Sequence, residues 1–62
     1  MEESEVKQNL TKLIKAYNYM KLETDKYPLD PIKERAAALS DIKQALEGLT
    51  TVFIPELRND IR

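Results

Sequence analysis

The chain has 62 residues, of which 42% are hydrophobic and 34% charged, and its formal net charge is −1. It contains neither cysteine nor histidine, which excludes disulfides, thiolate metal sites, and the commonest metal ligand and general base. We therefore expect one small domain with no catalytic residue, no cofactor, no metal site and no small-molecule substrate.

The sequence also bears on where the protein works. No apolar run approaches the roughly 18 residues that a membrane span needs, and the acidic start from Met1 to Glu5 lacks the apolar core of a secretory signal. The absence of cysteine fits a reducing compartment. We expect a soluble, cytoplasmic protein with no membrane partner.

The first predicted helix spans residues 4–26. Its apolar residues recur at alternating intervals of four and three, a heptad pattern that predicts one continuous apolar stripe. The stripe comprises Val6, Leu10, Leu13, Tyr17, Met20, Thr24 and Tyr27, and Ile14 and Ala16 widen it.

A turn is predicted in the middle of the chain. Pro28 disfavours helical dihedral angles at Tyr27, while Asp30 followed by Pro31 is typical of a helix start. A connection of about four residues places the two helices antiparallel.

The second predicted helix spans residues 31–54, with its stripe at Ile32, Ala36, Leu39, Ile42, Leu46, Leu49 and Phe53. Gly48 could end this helix or lie within it, and we favour continuation because Leu49 and Phe53 extend the stripe beyond it. Pro55 then predicts a short, kinked or frayed C-terminal turn.

Each stripe is wider than a single neighbouring helix can cover. The predicted fold is therefore an all-α antiparallel helical hairpin, which forms a homodimeric four-helix bundle or binds the helices of a different protein. We favour the homodimer. The predicted oligomer seam comprises Leu10, Leu13, Tyr17, Met20, Leu39, Ile42, Leu46 and Leu49.

Two further sets of residues are candidates for docking a partner. On the outer face of the first helix, Lys12, Lys15 and Lys26 surround Tyr19 and Leu22. Near the second helix end, the consecutive residues Val52, Phe53 and Ile54 cannot all be buried by one helical face. The plainer interpretation of the first set is ordinary surface apolarity. For the second set it is that Val52 and Ile54 flank the core at the open end of the hairpin.

The predicted function is a non-enzymatic protein–protein interaction module that acts as a helical-hairpin oligomer. Small regulators, chaperones, assembly factors and phage or prophage accessory proteins belong to this class. The alternative is a nucleic-acid-binding hairpin dimer that uses the lysine-rich outer face of the first helix. The layout is similar to that of plasmid copy-number regulators that bind RNA and of short secretion co-chaperones, but no motif of either is present.

Overall fold

The computed structural model describes residues 2–26 and 33–62, and all regular structure within these ranges is helical. Helix α1 spans Glu3–Lys26, helix α2 spans Lys33–Phe53, and a 3₁₀ helix spans Pro55–Asp60. The predicted all-α class is therefore confirmed, and the predicted end of the first helix agrees with the structure. The predicted turn, with Pro28, Asp30 and Pro31, lies outside the described residues.

Helix α2 passes through Gly48 without interruption, as we favoured from its sequence. Gly48 has no positive φ, and a Cβ atom added there would meet nothing within 4 Å, so no local geometry requires glycine. The helix ends at Phe53 because Ile54 leaves helical dihedral angles, with φ −138° and ψ 78°. Pro55 follows and cannot donate the backbone hydrogen bond that a continuing helix needs.

The two long helices pack side by side in opposite directions. Leu13 of α1 lines one groove together with Leu49 of α2, and Met20 lines the next groove together with Ile42. The buried core between and beside the helices comprises Leu10, Ile14, Tyr17, Leu39, Leu46, Ile54 and Leu57.

Residues 55–62, which we name the tail, fold back onto the helix pair. Leu57 is 7% exposed, and Ile61 packs against the core as a partly buried side chain. The tail contacts both long helices. Of the two predicted forms of this turn, kinked or frayed, the structure has the kinked one, because burial of Leu57 and Ile61 holds the short segment on the core.

Candidate interaction surfaces

The apolar stripe of α1 divides into two rows whose members lie seven residues apart. Leu10 and Tyr17 form the inner row and are 4% and 1% exposed. Leu13 and Met20 form the outer row and are 52% and 42% exposed. A heptad stripe has two such rows, and in this chain α2 approaches from the side of the inner row, so the outer row stays exposed.

The stripe of α2 divides in the same way. Leu39 and Leu46 are buried against α1, whereas Ile42 and Leu49 are 37% and 41% exposed. Four of the eight predicted seam residues therefore form the interior of a single chain. The other four lie at its surface, where only contact from outside the chain could bury them.

The four exposed seam residues lie on one side of the helix pair, together with Phe53. We name this surface the open face, defined by Leu13, Met20, Ile42, Leu49 and Phe53. Two grooves run along it. The larger has a volume of about 630 Å³ and lies where α1 begins and α2 ends, with Val6, Leu13, Leu49 and Phe53 in its lining. The smaller has a volume of about 340 Å³ and lies nearer the other end of the helices.

The opposite side of the helix pair is covered in part by the tail, which α1 holds through three hydrogen bonds. The Asn18 side-chain amide donates to the Asp60 carbonyl at 2.7 Å, and its oxygen accepts from the Arg62 backbone N–H at 3.0 Å. The Tyr17 hydroxyl donates to the Arg62 carbonyl at 3.1 Å. One asparagine thus satisfies two polar groups of the tail backbone and holds the end of the tail beside α1.

Two ion pairs also join the tail to the helices. Lys7 Nζ lies 3.6 Å from a Glu56 carboxylate oxygen, and Arg58 lies 3.4 Å from Glu47. At least one side chain of each pair is more than half exposed, and such pairs contribute at most about 1 kcal/mol. Burial of Leu57 is therefore the larger force that holds the tail in place.

The lysine-rich set on α1 is exposed, but it does not form a uniform cationic surface. Lys12 and Lys15 make no ion pair within the part of the chain that is described, whereas Lys26 is paired with Glu23 at 3.0 Å. Leu22 is 42% exposed and Tyr19 is 66% exposed. Tyr19 lines the smaller groove beside Met20, so it belongs to the rim of the open face.

The three consecutive apolar residues at the end of α2 divide into two environments. Val52 and Phe53 are 73% and 54% exposed, and Phe53 continues the open face. Ile54 is 4% exposed and belongs to the core, because the chain turns at this residue and directs its side chain inward. Ile54 is therefore unavailable for docking in this fold.

Two structurally important polar residues were not selected from the sequence. Asn18 lies beside the apolar stripe of α1, and nothing in its surroundings indicates a bond to a backbone more than 40 residues away. Thr50 is 0% exposed and donates its hydroxyl to the Leu46 carbonyl of its own helix at 2.8 Å. Its place four residues after the stripe residue Leu46 and four before the apolar Ile54 was the available signal, because residues four apart share a helical face.

Among the described residues, no group of three histidine, cysteine or acidic side chains could hold a metal ion. Within the same ranges, no buried side-chain nitrogen or oxygen lacks a hydrogen-bond partner. Neither of the two long helices, as far as they are described, has the length and apolarity needed to cross a membrane.

Comparisons with known proteins complete this description. No protein-family model matches the chain, and searches of curated proteins and of solved structures found no significant similarity. The function is accordingly argued from the surface that this chain presents.

Proposed function

We propose that this protein is a non-enzymatic protein–protein interaction module whose open face is covered by the helices of another chain. It would serve as a small regulator, chaperone or assembly factor. The observation that carries the proposal is the division of the heptad stripe, with Leu13, Met20, Ile42 and Leu49 between 37% and 52% exposed along one side. Soluble proteins rarely leave a continuous apolar surface of this kind uncovered unless a partner uses it.

The residue content supports a role without catalysis. The chain has no histidine and no cysteine, so its serine and threonine hydroxyls have no imidazole to activate them. The single glycine cannot build a glycine-rich phosphate loop. The lack of cysteine also supports a reducing compartment such as the cytoplasm.

Site-specific photo-crosslinking in the cell that produces the protein tests the proposal. A photo-crosslinking amino acid is placed at Leu13 on the open face, and in a second variant at Gln44, which is exposed on α2 and lies well away from the stripe on the helical wheel. We expect a discrete crosslinked protein product from position 13 and none from position 44. Equal crosslinking from both positions, or none from either, would contradict the proposal.

The alternative function, a nucleic-acid-binding hairpin dimer, rests on Lys12 and Lys15. These lysines are three residues apart and adjacent on the helix surface, they make no ion pair within the described ranges, and Tyr19 is exposed for base stacking. Lys12→Ala should then weaken the binding of single-stranded RNA at low salt. It should also reduce the slope of log affinity against log salt concentration by about one, the share of one phosphate contact. Binding that is undetectable at low salt would eliminate this alternative.

A further inference from the structure

We infer that the chain covering the open face is a second copy of this same protein, so that two helical hairpins form a four-helix bundle. This inference rests on the proposed function, because it names the occupant of the same surface. Three properties carry it: the total exposed surface of the chain, the alternation of large and small side chains on the open face, and the distribution of charge.

The amount of exposed surface matches the need of a dimer. The chain exposes 4889 Å², whereas a folded monomer of 7.2 kDa is expected to expose about 4,100 Å². The excess of about 800 Å² is close to the area that each partner buries in a standard specific interface. One additional copy is therefore sufficient to bring the surface of each chain to an ordinary value.

The face combines large and small side chains in alternating positions. On α1, the exposed Ala16 lies between Leu13 and Met20 along the helix. On α2, Ala38 and Ala45 are exposed and flank Ile42. Large residues of one copy can therefore enter the spaces above the alanines of the other, which is the packing that joins helices in a bundle.

The centre of the open face favours an uncharged partner surface. The positions along the centre of the face, between the levels of Leu13 and Met20, carry only apolar side chains. A partner that buries them must itself offer an uncharged helical surface, and the open face of a second copy meets this requirement. The net charge of −1 for each chain gives little long-range repulsion between copies.

Sedimentation equilibrium of the purified full chain, from about 1 µM to about 200 µM, tests the inference. We expect a particle with twice the chain mass of 7.2 kDa in the upper part of this range. The variant Met20→Lys should weaken the association by about a hundredfold or more, because it places a charge in the desolvated interface. Leu22→Lys is the matched control: Leu22 lies on the same helix and is also 42% exposed in the free chain, but it faces away from the open face. Its association should change by less than about threefold.

The outcomes separate the inference from the proposed function on which it rests. A folded monomer throughout the concentration range, with helical circular dichroism retained, would overturn the second-copy inference. A crosslinked product from position 13 in the same circumstances would still support the interaction module and indicate a different partner. A dimer that Met20→Lys and Leu22→Lys weaken equally would overturn the assignment of the open face. Met20 and Leu22 are equally exposed in the free chain, so a loss of association that occurs only in Met20→Lys is attributed to the open face and not to unfolding.

Discussion

The substitution Leu57→Ala measures how firmly the tail is packed. Leu57 is 7% exposed, and truncation of a buried leucine costs about 2–5 kcal/mol. We expect a value of about 2–3 kcal/mol, because the short 3₁₀ helix at Pro55–Asp60 can move partly into the space that the truncation leaves. A chain of 62 residues has a total stability of about 3–9 kcal/mol. The substitution should therefore remove a large share of the free energy of unfolding.

Urea denaturation followed by far-ultraviolet circular dichroism measures this loss. All variants are compared at one protein concentration, because association makes the midpoint depend on concentration. Leu22→Ala supplies the matched control: Leu22 is 42% exposed, and the same truncation there should cost no more than about 1 kcal/mol. If both variants unfold at the same urea concentration, the tail contributes little and its packed position is refuted.

Three other substitutions test single features of the fold. Gly48→Ala should raise stability by about 0.5–1 kcal/mol, because α2 passes through an open position without need of glycine; a lower melting temperature would contradict this. Thr50→Val should change the free energy of unfolding, measured by urea denaturation, by less than about 1 kcal/mol, since the hydroxyl bonds only to carbonyls of its own helix; a larger loss would show another role for the hydroxyl. Asn18→Ala should cost about 1 kcal/mol and speed hydrogen exchange at the Arg62 amide, whereas unchanged exchange there would argue against the bond to Asn18.

The two helices were predictable because their periodicity is local. Intervals of four and three from Val6 to Met20 place the apolar residues of α1 on one side. No such pattern distinguishes Leu10 from Leu13, because both are leucines within the same stripe. Only the direction from which α2 approaches decides that Leu10 becomes 4% exposed while Leu13 remains 52% exposed.

The position of the tail was less accessible to sequence reasoning. Pro55 correctly indicated a break after α2, but a proline that ends a helix does not specify where the chain goes next. The spacing of Leu57 and Ile61 showed that apolar residues follow the break, but it did not indicate which surface they contact. Asn18, which bonds to the end of the tail through two hydrogen bonds, looks like an ordinary polar residue on the flank of α1.

The attachment of the tail to Asn18 also has a consequence for the order of folding events. The two hydrogen bonds of Asn18 join residues 42 and 44 positions apart, whereas α1 and α2 are built from contacts within each helix. Closing so long a loop has an entropic cost. Packing α2 beside α1 first shortens the distance between Asn18 and the tail and so lowers that cost. The tail is thus expected to dock last and to detach first. Leu57→Ala would then increase the rate of unfolding and leave the rate of folding almost unchanged.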